Sequence, residues 1–123
     1  LDVLIADDNA DAAQSLGALL ELNGHRVTVV ADGLEAVACA ARALPDLAIL
    51  DLGMPRLDGY GTAERIRALA GAERVRFVAL TGWGQPDDVR RTTAAGFAWH
   101  LVKPVDPEAL ARVVAEVAAA APR

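Results

Sequence analysis

Apolar and polar positions fall into alternating blocks along this chain. Residues 3–6, 47–50 and 77–80 are short apolar runs, each leading into small or charged residues. A run of this length without a polar break reads as a strand buried on both faces. The segments between carry apolar residues three and four apart, the spacing of a helix with one face on a core. The first run ends in Asp7-Asp8-Asn9, and the helix after it presents Leu16, Leu19 and Leu20. Asn9 or Asp11 can cap that helix, and Gly24 suits the residue past its end. Residues 26–30, rich in Val and Thr, form a second strand. Asp32-Gly33-Leu34-Glu35 has capping-box spacing. It opens a helix with a stripe of Leu34, Val37, Ala41 and Leu44, stopped by Pro45.

The third strand, residues 47–50, runs into Asp51, a Gly-Met-Pro turn and Asp58-Gly59. A third helix is expected over residues 59–70, with Ala63, Ile66 and Leu69 inward and Gly71 at its end. The fourth strand delivers Thr81-Gly82-Trp83-Gly84. A fourth helix starts near Gln85, with Pro86 in its first turn and Asp87 and Asp88 favouring its dipole. Its apolar face is thin, mainly Val89 and Ala94, and Gly96 ends it. Residues 100–102 are a short fifth strand leading to Lys103-Pro104. The last helix takes Asp106 as N-cap, Pro107 as first residue and Leu110, Val113, Val114 and Val117 as its stripe. Strand and helix thus alternate five times with short loops. That order calls for a parallel sheet with helices on both faces and right-handed crossovers.

Length and charge narrow the picture. The 123 residues suit one domain, and 54% hydrophobic residues suffice for a core. A net charge of −5 without a Lys/Arg cluster excludes nucleic acid as a direct partner. The single cysteine, Cys39, allows no internal disulfide and sits in an alanine-rich stretch as a small core or near-core residue. No apolar run approaches a membrane span and no signal peptide is visible, so a cytoplasmic location without membrane contact is expected. The chain opens directly on a strand and ends in Pro122-Arg123. Both ends read as cuts in a longer polypeptide.

The chemistry collects at one edge. All strands of a parallel sheet end on the same side, where ligands bind. Just past them stand Asp7 and Asp8, Asp51, Thr81 and Lys103. Three gathered carboxylates repel, so either some stay protonated or a cation sits among them. With only oxygen ligands available, that cation is hard, Mg²⁺ or Mn²⁺. Lys103 brings a mobile positive charge for a phosphate oxygen, and Thr81 a neutral hydroxyl. Charge neutralisation and positioning are what phosphoryl transfer requires, and an aspartate can be its nucleophile.

Asp7-Asp8, Asp51, Thr81 and Lys103-Pro104 together resemble the receiver domains of two-component response regulators, over essentially the whole chain. The resemblance implies a flavodoxin-like, doubly wound fold with strand order 2-1-3-4-5. It implies that Asp51 accepts a phosphoryl group from a histidine kinase or histidine phosphotransfer domain. Asp8 and Asp51 would bind Mg²⁺ directly, Asp7 directly or through water, and Gly53 through its backbone carbonyl. The family's Lys-Pro bond is often cis, which proline makes accessible. The tracts LTGWGQPDDVRRTTAAGF and HLVKPVDPEAL are similar to receivers attached to hybrid sensor histidine kinases. That implies the cytoplasmic part of a membrane-bound sensor. The face of helix four, strand five and helix five would meet an output domain or partner protein.

Departures from the family pattern stand beside these matches. His100 occupies the switch position, where Tyr or Phe is usual; the alternative is a solvent-facing ring. Trp83 and Gly53 stand where the family tunes loss of the phosphoryl group. Trp99 belongs either to an apolar docking patch or to packing against a neighbouring helix. Gly61 weakens the start of helix three. Met54 reads as loop packing, His25 as surface and Arg90-Arg91 as a solvated helix face. Other functions fit less well. A degenerate receiver, acting as a phosphorylation-independent interaction module, would not need all five site residues. A phosphohydrolase built on Asp51 would carry a second Asp where Gly53 stands. A flavin phosphate would meet repulsion from the acids after strand one.

Overall fold

Five parallel strands form one sheet in the order β2-β1-β3-β4-β5: β1 Asp2–Ala6, β2 Arg26–Val30, β3 Leu47–Asp51, β4 Arg76–Thr81 and β5 Phe97–Val102. Between and after them run α1 Ala10–Leu22, α2 Gly33–Arg42, α3 Gly59–Arg67, α4 Val89–Ala94 and α5 Pro107–Ala120. The structure, a computed structural model, describes residues 1–82 and 89–120. The expected start of helix four near Gln85 and the Trp83 position lie outside the described residues. The strand order is the flavodoxin-like one. No helix among the described residues is long and apolar enough to cross a membrane.

The sheet divides the core. One face carries Val3, Ile5, Leu47, Ile49, Val78 and Leu80 against Leu16 and Leu20 of α1 and Leu110, Val113, Val114 and Val117 of α5. The other carries Leu4, Ala48, Leu50, Phe77 and Ala79 against Ala36 and Ala40 of α2 and Ala63 and Ile66 of α3. All five residues of β3 are buried, because it lies central with helices on both sides. Truncating Leu50 to Ala there would cost about 2–5 kcal/mol. β2 is an edge strand and stays half open.

Local chemistry sets the element ends. Asn9 caps α1 by accepting from the Ala12 N–H, and Gly24 follows with φ 90°. Asp32 caps α2 through the Glu35 N–H, while the Glu35 carboxylate reaches back to the Ala31 N–H, one residue earlier than a capping box requires. Asp58 caps α3 through the Gly61 N–H. Asp106 accepts from the Glu108 N–H at the start of α5.

Three expectations need correction. The buried side of α2 is Gly33, Ala36 and Ala40, not the stripe of Leu34, Val37, Ala41 and Leu44; Leu34 and Leu44 are exposed. Small residues face inward because α2 packs closely on its neighbours: a Cβ on Gly33 would lie 2.1 Å from the Thr62 hydroxyl. α3 ends at Arg67, before Ala70, and a short 3-10 turn, Ala72–Arg74, follows Gly71. β5 begins at Phe97, three residues earlier than expected, with a register shift between its pairings to Phe77 and Val78. The extra residue breaks the alternation that marks a strand.

Candidate functional site

The three strand-end acids converge. Asp7, Asp8 and Asp51 each offer a carboxylate oxygen, and these atoms lie within 4.8 Å of one another. Asp7 and Asp51 are buried, whereas Asp8 is exposed. Each buried acid is oriented by the backbone just beyond it. The Asn9 N–H donates to Asp7 Oδ1 at 3.0 Å, and the Gly53 N–H donates to Asp51 Oδ1 at 3.0 Å.

Lys103 closes the cluster. It follows β5, and its backbone N–H donates to the Thr81 carbonyl at 2.8 Å. The Lys103-Pro104 bond is cis. The ammonium lies 2.8 Å from Asp51 Oδ2 and 2.9 Å from both oxygens of Asp7. Thr81 ends β4 on the same edge and is buried.

These neighbours split the two buried acids. Burial pushes the Asp7 carboxyl above the ordinary carboxylate value; the Lys103 ammonium and Asn9 N–H only partly offset that, and the nearby Asp51 adds to it. Burial also works against ionised Asp51, but the Lys103 ammonium, the Gly53 N–H and a hydrogen bond with Asp7 hold it below the ordinary value. Burial disfavours the Lys103 charge, yet bonds to Asp51 and Asp7 raise its pKa. The same surroundings thus favour the ionised form of Asp51 and disfavour that of Asp7.

A groove of about 510 Å³ opens beside the cluster. Its lining includes polar Asp7, Asn9 and Lys103 and apolar Leu16, Leu19 and Val105.

His100 pairs in register with Ala79, two residues before Thr81, so His100 and Thr81 share a face of the sheet. The His100 Nε2 shares a hydrogen bond with the buried Thr92 hydroxyl of α4. Trp99 packs on the α1/α5 side of the core, and its indole N–H donates to Glu116 at 3.0 Å. Packing against a neighbouring helix is thus its role. Met54 is buried in the loop and Cys39 is half-buried against the core. Arg91 does more than face solvent: its guanidinium lies 3.9 Å from the Tyr60 ring centroid. Sequence reasoning missed the ion pair of Arg56 with Asp32 and the Thr92–His100 bond. Neither has a spacing that marks it.

Comparison with known proteins points one way. Residues 3–115 match the response regulator receiver domain family. An uncharacterized 14.6 kDa protein of Leptolyngbya boryana is 36% identical over 122 residues, 99% of this chain and 93% of that one. The chain spans less than half the length of several other curated relatives. The receiver domain of a sensor histidine kinase from Pseudomonas aeruginosa, solved with a magnesium ion coordinated in its active site cleft, superposes with a TM-score of 0.87. It is 34% identical, covering 97% of this chain and 98% of that one. Chemotaxis protein CheY4 of Vibrio cholerae gives a TM-score of 0.87 at 31% identity, covering 94% and 97%.

Proposed function

This chain belongs to the response regulator receiver domain family, and from that premise we propose that Asp51 accepts a phosphoryl group from a phosphohistidine and that the added charge switches partner binding or is relayed onward. The donor is a histidine kinase or a histidine phosphotransfer domain. A carboxylate oxygen of Asp51 attacks phosphorus, and the P–N bond to imidazole breaks as the new P–O bond forms. The imidazole leaves protonated by solvent, and Asp51 becomes an acyl phosphate.

The all-oxygen donor set and the gathered negative charge fit a hard divalent cation. Asp7, Asp8, Asp51 and the Gly53 carbonyl would hold Mg²⁺, with Mn²⁺ the alternative. When bound, the ion supplies charge neutralisation to the phosphoryl oxygens. Lys103 pairs with one phosphoryl oxygen, and the Thr81 hydroxyl donates to another. His100, on the same face as Thr81, follows that hydroxyl and carries the change toward α4, β5 and α5. Docking of the output or partner protein belongs on that face. The groove along α1, lined by both polar and apolar residues, suits a donor helix presenting histidine to Asp51. A kinase donor puts the reaction in the cytoplasm, including the cytoplasmic part of a membrane-bound sensor.

The observation that carries this reading is the Lys103 ammonium shared between Asp51 and Asp7 beside the groove. Incubation with Mg²⁺ and acetyl phosphate adds one phosphoryl mass to the wild type and none to Asp51→Asn. A wild type that binds Mg²⁺ but gains no mass would refute it.

A further inference from the structure

The loop between β3 and α3 doubles back onto the start of α2, and its apex is strained. Arg56 has a φ of 65°, alone among the described non-glycine residues in being positive. The Leu57 N–H donates to the Pro55 carbonyl at 2.7 Å, closing a γ-turn about Arg56. Glycine enters this region freely, whereas a residue with a Cβ is strained there. A strained side chain where glycine would serve calls for a use of that side chain.

The guanidinium pairs with Asp32 Oδ2. Asp32 divides its two oxygens, since Oδ1 accepts the Glu35 N–H at 2.9 Å and caps α2. The Asp32 side chain is only 10% exposed beneath that of Arg56, which is 60% exposed. The next residue brings the loop closer still. A Cβ on Gly33 would lie 2.4 Å from the Leu57 carbonyl, so the loop backbone rests directly on α2.

The same loop begins at the Asp51 site. Gly53 holds Asp51 Oδ1 through its N–H, and the Gly59 N–H donates to the Leu52 carbonyl at 3.2 Å, closing the loop at its base. Only Met54, which is buried, and Pro55, whose ring fixes φ, separate Gly53 from Arg56, so a displaced apex moves the Gly53 turn with it. We propose that Arg56 is a positioning residue for the Asp51 site, fixing the Gly53 turn through its ion pair with Asp32. This rests on the reading of Asp51 as phosphoryl acceptor.

Arg56→Gly separates positioning from plain structural support, because it relieves the positive-φ strain while removing the pair. Its melting temperature stays level or rises. In metal-free protein, solvent exchange of the Gly53 amide, followed by NMR, speeds up by about threefold, the scale of a part-exposed ion pair. Half-saturating Mg²⁺ for phosphorylation by acetyl phosphate rises by about the same factor. Arg56→Lys, which keeps charge and strain, recovers part of the Gly53 protection. Gly53 exchange and Mg²⁺ half-saturation indistinguishable between Arg56→Gly and wild type overturn the proposal. A wild type that accepts no phosphoryl group overturns only the Asp51 reading, and the Gly53 exchange rates still decide the role of Arg56.

Discussion

Lys103 Nζ lies 2.8 Å from Asp51 Oδ2 and, with the same ammonium, 2.9 Å from Asp7, so one cation holds together the ends of β1 and β3. These partners are 52 and 96 positions from Lys103 in the chain. The sheet brings them together, since parallel strands end at one edge. A buried acid pair with a shared cation is stable only while the cation stays, or while another replaces it.

Lys103→Met therefore lowers stability at neutral pH. The Lys103 side chain is 24% exposed, so the loss is less than for a fully buried pair, about 1–2 kcal/mol. Without the ammonium both acids rise in pKa, and the folded state then gains protons more readily than the unfolded. The deficit shrinks as pH falls through those raised values. Urea unfolding at pH 7 and near pH 4, with and without Mg²⁺, measures this. A deficit independent of both pH and Mg²⁺ would contradict it.

Asp7→Asn moves stability the other way. The Asp7 pKa is raised by burial, so its ionised form opposes folding at neutral pH. A raised folded value means its contribution is favourable below the unfolded pKa and is lost as pH rises through the folded one. Asparagine keeps an oxygen for the Asn9 N–H and removes the charge. Unfolding at pH 7 should need about 1 kcal/mol more, the size of a common single stabilising substitution. The gain disappears as pH falls through the Asp7 value. Mg²⁺ titration should show weakened binding in the same variant.

The site was legible in the sequence because its members sit where buried apolar strands stop. Asp7, Asp51 and Thr81 each follow an unbroken apolar run, Lys103 follows the short fifth strand, and topology alone gathers them. α2 was harder to read. Its leucines suggest a face rotated from the true one, which is built of Gly33, Ala36 and Ala40. Close packing selects small residues there, and hydrophobicity alone does not register that need. β5 was shortened by the irregularity near Phe97. The Arg56–Asp32 pair joins two loops 24 residues apart, and loops carry no period. Trp99 left two environments open, and only the Glu116 partner decides between them.

Two glycines at the start of α3 should answer substitution in opposite ways. A Cβ on Gly59 would lie 2.7 Å from the Asp51 carbonyl and 2.8 Å from Leu52 Cα, both backbone atoms. Gly59→Ala must push the end of β3, costing about 1–3 kcal/mol and slowing phosphorylation of Asp51. A Cβ on Gly61 clashes with the tip of the flexible Leu57 side chain, at 2.6 Å, and otherwise makes ordinary contact, with Asp58 Oδ1 at 3.4 Å. Gly61→Ala gains helix propensity worth up to about 1 kcal/mol, less the shift of Leu57. Melting curves of the two variants should therefore bracket the wild type. A Gly59→Ala protein as stable as Gly61→Ala would show that the β3 end yields freely.

His100 offers the last test, because its ring is tied to α4 through Thr92. If the ring moves toward Thr81 when Asp51 is phosphorylated, that bond must break, and it favours the unphosphorylated arrangement. His100→Phe keeps an aromatic ring and removes the bond. A single net hydrogen bond of about 1 kcal/mol corresponds to a fivefold change in equilibrium. The variant should be about that much less stable without phosphoryl donor. It should also populate the phosphorylated arrangement about fivefold more readily with a beryllofluoride mimic and Mg²⁺. NMR shifts of α4 amides, titrated with the mimic, read the equilibrium directly. Identical titration curves for His100→Phe and wild type would mean that the ring stays with Thr92 in both states and has no part in switching.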